Sequence, residues 1–530
     1  MNRIKPLLLL ILDGFGISLE KNGNPVAEAE TPNLTKIEQN FPFTTLQASG
    51  TAVGLPWGEA GNSEVGHLII GAGRAIYHHL PRIIYSIRDG SFFKNAAFLK
   101  AALHVRQNNS SLHIAGLMSS GSVHSYIDHL YALLDFAKQE KIERVYLHIF
   151  SDGKDAPPKE GADFFTALEA KIKKEWPYVR FASIIGRSYA LDRGENWDRT
   201  RKTYELLTAG KGEKITSVAN YLQSSYAKNI TDEFIEPAVV TAADGGETAG
   251  WIKENDALIF SDFREDSMRQ IARSFVEDKF TYFPRETIKN FLVVTLSEYQ
   301  KGLPALPAFP QIDIRWPLGE VITGAGLRQL RIAQSQKYAH VTYFLNGGLE
   351  RPFANEDRIL IQSLTGVSFE EAPEMKTPEI TDKILENLTN YDVVIANFAN
   401  ADMVGHTGDF RACIKAVEVV DEAIGRLLEA ILNSGGAMLI TADHGNIEYK
   451  RSPISGEKLT EHSINPVPLY LVGEKFRLAE PATEEEIIER KKEVRGVLTD
   501  VAPTLLELLD LAKPEEMSGQ GLFNVLNKPV

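Results

Sequence analysis

The chain has 530 residues, a formal charge of −14 and a hydrophobic fraction of 43%. That length exceeds what one hydrophobic core ordinarily supports, so two domains are expected, each large enough to bury its own core. The acidic balance excludes a non-specific nucleic-acid or anionic-membrane binder, which needs clustered Lys and Arg, and it requires that any anionic substrate meet locally gathered cations.

From the N-terminus, the apolar run 6–12 behind Arg3 and Lys5 is too short for a signal peptide and lacks a small-residue cleavage site. It reads as a buried strand ending at Asp13. No run approaches the roughly 20 apolar residues of a membrane helix. Next comes Gly61-Asn62-Ser63-Glu64-Val65-Gly66-His67. Residues 64–70 read as the start of a helix, where backbone N–H groups and the helix dipole favour a phosphate carried on the Ser63 hydroxyl. For an isolated serine in that place, an N-cap is the ordinary reading.

The middle of the chain repeats one pattern. Residues 112–117 precede Ser119 to His124, 145–150 precede Asp152-Gly153-Lys154-Asp155, 181–185 precede Arg187, and 258–260 precede Asp262 and Arg264. Ligands gather at the carboxyl ends of strands in open parallel sheets, and these ends offer cations. Pro304, Pro307, Pro310 and Pro317 then punctuate residues 301–317, read as an otherwise structureless stretch.

Toward the C-terminus, 393–396 leads through Asn397 to Asp402 and His406, and 437–441 ends at Asp443 and His444, with His462 in a later loop. Asp402 and His406 stand four apart, on one face if helical. The single cysteine, Cys413, falls in a predicted helix; it forms no intramolecular disulfide and suits packing in a reducing cytoplasm. The charged stretch 484–493 reads as a solvated helix face.

Strand-like runs alternate with amphipathic stretches throughout, so the expected class is α/β with mostly parallel sheets. The Asp and His set lies near both ends and the cationic set lies between. The expected organisation is therefore a metal-binding domain of residues 1–77 and 313–530, carrying the nucleophilic serine, with an inserted substrate-binding domain of residues 78–312. The crossings, near 76–81 and within 301–317, are predicted hinges for closure around a substrate. A serine hydroxyl needs a base or a metal to become nucleophilic, and no histidine stands out as its base. Metal coordination is the economical answer, since two ions also shield the attacking and leaving oxygens of a phosphoryl group. Asp, His and Ser without thiolate form a hard donor set that suits Mn²⁺ first, with Mg²⁺ and Zn²⁺ as alternatives.

Together with Leu12-Asp13-Gly14-Phe15-Gly16, residues 50–56, Gly71-Ala72-Gly73-Arg74, residues 337–342 and Gly519-Gln520-Gly521-Leu522, these motifs cover essentially the whole chain. The chain resembles the cofactor-independent phosphoglycerate mutases of the alkaline-phosphatase-like superfamily. The resemblance implies one metal on Asp402, His406 and His462 and a second on Asp13, Ser63, Asp443 and His444. It also implies that Ser63 takes the phosphoryl group from phosphoglycerate and returns it to the neighbouring hydroxyl, so that 3-phosphoglycerate and 2-phosphoglycerate interconvert without a bisphosphoglycerate primer, in glycolysis and gluconeogenesis. The inserted domain would grip the substrate through His124, Asp155, Arg187, Arg193, Arg264 and Lys337, with Asp155 as proton carrier. A cytoplasmic monomer with a small-molecule substrate, and neither nucleic-acid nor membrane partners, completes the expectation.

Three positions depart from the family pattern: Lys154 and Ser267 stand where Arg is usual, and Gln336 where Glu is. Lys154 keeps the charge but loses the bidentate fork, whereas Ser267 removes a cation outright. An intact phosphoserine half with a modified glycerate grip is therefore expected, with slower turnover or an altered acid preference. The alternatives are a metal-dependent phosphatase, another phosphomutase of the superfamily, or a silent metabolite-binding fold.

Overall fold

The computed structural model describes residues 3–241, 250–364, 366–452 and 455–526. The chain divides into two compact units: His79–Gln311 forms one, and the flanking segments through His78 and from Ile312 form the other. Each is built on a mostly parallel sheet, eight-stranded among the described residues. The α/β expectation therefore holds.

In the flanking unit, Leu7–Leu12 is apolar at every position and buried on both faces. That is the signature of a central parallel strand covered by helices on each side. It pairs in parallel with Val393–Phe398 on one edge and Ala437–Thr441 on the other. The connection between those two neighbours is the 25-residue helix Phe410–Ser434. Its buried positions recur at Ala416, Val417, Val420, Ala423, Ile424, Leu427, Leu428 and Ile431, the stripe of a helix with one face on the core. Asp409 caps its start by accepting from Ala412 N at 2.8 Å, and Gly435 ends it in the left-handed region. Cys413 is buried on that stripe, and burial pushes its thiol up to about 12. Among the described residues of this unit, only Val467–Val472 runs antiparallel to its neighbours, Ala437–Thr441 and Phe43–Gln47.

In the unit His79–Gln311, the strands Ala257–Phe260, Leu112–Leu117, Val145–Ser151 and Val179–Gly186 lie side by side and parallel. The stretch 301–317 corrects the sequence reading. It contains the strand Leu306–Phe309, paired with Leu292–Ser297 at the sheet edge. An edge strand needs backbone donors on one side only, so Pro307 is tolerated there. The helix Glu484–Lys492 buries no residue, as its charge pattern predicts.

Candidate active site

Because Leu7–Leu12 runs between Val393–Phe398 and Ala437–Thr441, the residues following these three parallel strands emerge at one sheet edge. Asp13, Asn397, Asp402, Asp443 and His444 are brought together there. Ser63 is the first residue of the helix Ser63–Ala72. It is not the N-cap: Asn62 takes that place and accepts from Val65 N at 2.9 Å, so the serine hydroxyl is not spent on capping. Ser63 Oγ lies 3.1 Å from Asp13 Oδ1 and 3.0 Å from His444 Nε2. Asp402 sits in the helix Asn400–Gly405 with His406 just after it, on one face. His406 Nε2 and His462 Nε2 each lie 3.1 Å from Asp402 Oδ1 and 3.0 Å from each other.

The chemistry of this donor set fits metal ions. The ring Nδ1 atoms of His406, His462 and His444 face the carbonyl oxygens of Thr460, Gly61 and Gly445 at 2.8, 2.7 and 3.2 Å. A carbonyl only accepts, so each neutral ring carries its proton on Nδ1 and turns the Nε2 lone pair inward. Two such lone pairs and a carboxylate oxygen then face one another around Asp402, which calls for a cation. The coordinating atoms of Asp402, His406 and His462 lie within 4.8 Å of one another, as do those of Asp13, Asp443 and His444. Asp13, Asp402 and Asp443 are all buried, and among the described residues Lys337 is the one lysine paired with them, leaving unbalanced negative charge.

Lys337 requires a correction. It does not belong to the unit that carries the cationic set. Its Nζ donates to Asp13 Oδ1 and Asp402 Oδ2 at 2.6 Å and to Ser63 Oγ at 2.7 Å. The physical reason is that three buried carboxylates need a buried cation on hand. Burial opposes the charge on this ammonium, but Asp13 and Asp402 outweigh it and raise its pKa. Burial likewise opposes ionisation of Asp402, yet His406, His462 and Lys337 hold it well below the usual carboxylate range. At Asp13, burial and the neighbouring Asp443 push the pKa up.

Several residues in this cluster were given no role by the sequence reading. His67 is fully buried one turn after Ser63, with Nδ1 2.9 Å from Ser63 O and 3.2 Å from Asp443 Oδ2. Asn397 donates to Asp13 Oδ2 at 2.7 Å, and Asn446 donates to Asp402 Oδ1 at 2.8 Å. The available signals were the i, i+4 spacing of Ser63 and His67 and the placing of both Asn residues beside strand ends. Gln336, beside Lys337, accepts from Gln334 Nε2 at 2.8 Å.

The unit His79–Gln311 holds a cleft of about 420 Å³ at the carboxyl ends of its four adjacent central strands. It brings together His124, Lys154, Asp155, Arg187, Arg193 and Arg264, with Ser267. Arg187 is buried, with Nη1 2.5 Å from Asp152 Oδ1 and 2.8 Å from Asp155 Oδ1. His124 Nδ1 lies 2.5 Å from Asp155 Oδ2. Burial, more than offsetting Asp155, lowers the pKa of this imidazole, and Arg187 adds to the effect. Arg193 and Arg264 both pair with Asp266. Ser267 Oγ donates to Arg264 O at 3.2 Å, and Arg269 Nε is engaged with Tyr299 O at 3.1 Å. Arg199, Asp152 and Asp262 were not singled out as site residues from sequence. Asp262 is fully buried, accepts from Leu117 N at 2.9 Å, and is pushed up to about 8 by burial.

Residues 5–513 match the family model of the metalloenzyme superfamily. A 2,3-bisphosphoglycerate-independent phosphoglycerate mutase of Moorella thermoacetica is 47% identical over 520 residues, covering 98% of each chain. The chain belongs to this mutase family. Its relative of the same name in Clostridioides difficile is 44% identical, with 98% of this chain and 99% of that one covered. Among solved structures, Leishmania mexicana phosphoglycerate mutase at low cobalt concentration superposes with a TM-score of 0.54 at 28% identity, covering 98% of this chain and 97% of that one. In this mutase-family chain the predicted Asp and His residues form two groups that could each hold a metal ion, and the departures at Lys154 and Ser267 line the cleft.

Proposed function

We propose that this chain interconverts 3-phosphoglycerate and 2-phosphoglycerate through a phosphorylated Ser63, without a bisphosphoglycerate primer. The observation that supports it is the position of Ser63 Oγ, a helix-start hydroxyl within 3.1 Å of Asp13, Lys337 and His444 at the shared end of parallel strands. Two divalent cations complete the proposal, one on Asp402, His406 and His462 and one on Asp13, Ser63, Asp443 and His444. When bound they supply positive charge to the serine oxygen and to the transferring phosphoryl group. Oxygen and imidazole donors without thiolate favour Mn²⁺, ahead of Mg²⁺ or Zn²⁺.

The chain's own groups divide the remaining work. Lys337 donates to Ser63 Oγ and stabilises negative charge developing on that oxygen. Asp13 Oδ1 stands as the acceptor for the serine proton, and the Nε2 lone pair of His444, 3.0 Å from Ser63 Oγ, is left for the cation. Backbone N–H groups at the start of the helix Ser63–Ala72 favour the esterified phosphate. In the cleft, guanidinium groups match the carboxylate and phosphate of the substrate. Asp155, held between His124 and Arg187, carries the proton of the glycerate hydroxyl. The same reading makes the chain a cytoplasmic monomer; among the described residues, no helix is long and apolar enough to cross a membrane.

A primer-free, enolase-coupled assay on native protein, chelated protein and Ser63→Ala tests this. Ser63→Ala is expected to lose about 10⁴-fold or more in turnover, and chelation is expected to abolish activity until Mn²⁺ is restored. A Ser63→Ala protein as active as the native one refutes the covalent route. Release of free phosphate without 2-phosphoglycerate marks a phosphatase instead.

A further inference from the structure

Five cations line the cleft of the unit His79–Gln311, and they are unequally committed. Arg187 is buried and paired with both Asp152 and Asp155, and Arg193 and Arg264 share the carboxylate of Asp266. Lys154 offers a point charge without a fork. Arg199 differs from all of these. Its side chain is 50% exposed, and its contact with Asp192 Oδ2 is 3.5 Å. Asp192 does not depend on it, because that carboxylate already accepts from Gly194 N, Asn196 N, Asn196 Nδ2 and Gln270 Nε2 at 3.0 to 3.1 Å. The remaining contact of Arg199, to Ser188 O, is 3.4 Å.

Arg199 lines the same cleft as the position that lacks a cation. Ser267 lies in the first turn of the helix Glu265–Val276. Gln270, one turn along the same face, donates to Thr200 Oγ1 at 2.6 Å and accepts from Glu195 N at 3.0 Å. Thr200 follows Arg199 in the helix Trp197–Ala209. Gln270 thereby ties the start of that helix, and the loop bearing Arg193, to the helix face that Ser267 occupies. An Arg at 267 would add charge there; with Ser in place, Arg199 is the guanidinium lining the cleft that is held least closely by a carboxylate.

Resting on the phosphoglycerate reading, we propose that Arg199 is a substrate-binding residue, its fork meeting an anionic end of phosphoglycerate on the Ser267 side of the cleft. A guanidinium without a strong ion pair gives up little when it turns to a ligand, whereas Arg193 and Arg264 must part from Asp266. The modified grip is in this way a relocation of a cation from one helix to its neighbour.

The test compares native protein with Arg199→Gln, Arg199→Lys and the control Arg201→Gln, which alters a neighbouring arginine paired with Glu205. Loss of one charged hydrogen bond is expected to raise the KM for 3-phosphoglycerate about tenfold or more. The kcat should stay within about threefold, since a substrate-binding contact is made in ground and transition states alike. Arg199→Lys should fall between native and Arg199→Gln, and Arg201→Gln should match native. An Arg199→Gln enzyme with a native KM overturns the proposal. Should the native chain not turn over phosphoglycerate, the functional reading fails separately. Calorimetric titration with 3-phosphoglycerate then decides Arg199: weaker binding to Arg199→Gln supports it, and equal binding overturns it.

Discussion

Gly66 ties the nucleophile's helix to the metal-donor loop, and adding one methyl group there tests how closely the site is held. A Cβ built at Gly66 would lie 2.6 Å from Asp443 O and 2.7 Å from Asp443 Cβ, short of ordinary contact at 3.4 Å by about 0.7 Å. Part of the obstacle is backbone, so it cannot rotate away. The helix Ser63–Ala72 must back off by about that distance, carrying Ser63 with it. The hydrogen bonds from Ser63 Oγ to Asp13 and His444, at 3.1 and 3.0 Å, would then stretch beyond useful length. Misplacement of about 1 Å costs on the order of 100-fold in rate, so Gly66→Ala is expected to lose roughly that in kcat/KM. The stability change is smaller: overpacking costs about 1–3 kcal/mol, offset by about 1 kcal/mol of helix propensity. Activity should therefore fall far more than melting temperature. The assay is the primer-free coupled rate at saturating Mn²⁺, with Gly324→Ala as control because nothing lies within 4 Å of a Cβ there. A Gly66→Ala protein within twofold of native kcat/KM refutes the close-packing argument.

Two further outcomes are expected. Lys337→Met leaves Asp13, Asp402 and Asp443 without their buried lysine, so metal-free protein should melt lower than native and gain more from Mn²⁺. An unchanged metal-free melting temperature would show that the ammonium does not offset the carboxylates. In the unit His79–Gln311, His129 is fully buried, and burial lowers its pKa to about 3. The folded chain keeps this ring neutral while the unfolded chain takes up its proton below about 6.5, so stability is lost as pH falls from 6.5 toward 3. At pH 5 the loss is about 2 kcal/mol relative to pH 7.5. His129→Phe should lose that much less over the same interval in urea denaturation followed by hydrogen exchange of the helix Ile127–Gln139; an identical pH response in both proteins counts against it.

Much of the architecture was legible because parallel strands buried on both faces are written as unbroken apolar runs. Leu7–Leu12 is one such run, and the polar residue ending it had to emerge at a sheet edge. The same rule located Asp402, Asp443 and His444, and in the other unit Asp155, Arg187 and Arg264. It failed where a local pattern carried no record of its partner. The edge strand Leu306–Phe309 looked structureless because proline signals a break, whereas an edge position forgives the missing donor. Ser63 looked like a helix cap, and only the hydrogen bond from Val65 N to Asn62 shows which neighbour does the capping.

Residue types and their spacing along the chain were enough to supply the α/β class, the candidate metal donors and the cations that could meet an anion, because each is a local property of a strand end or a turn. Which lone pair each histidine presents, that Lys337 joins the carboxylates, and that Arg199 stands loosely paired in the cleft that Ser267 lines depend on contacts between segments far apart in the chain. Those contacts exist only after the sheets have set strands 300 residues and more apart side by side, as Leu7–Leu12 and Val393–Phe398 are. Hydrogen bonding and charge balance at such meeting points are settled by distance in space, which one-dimensional spacing does not encode.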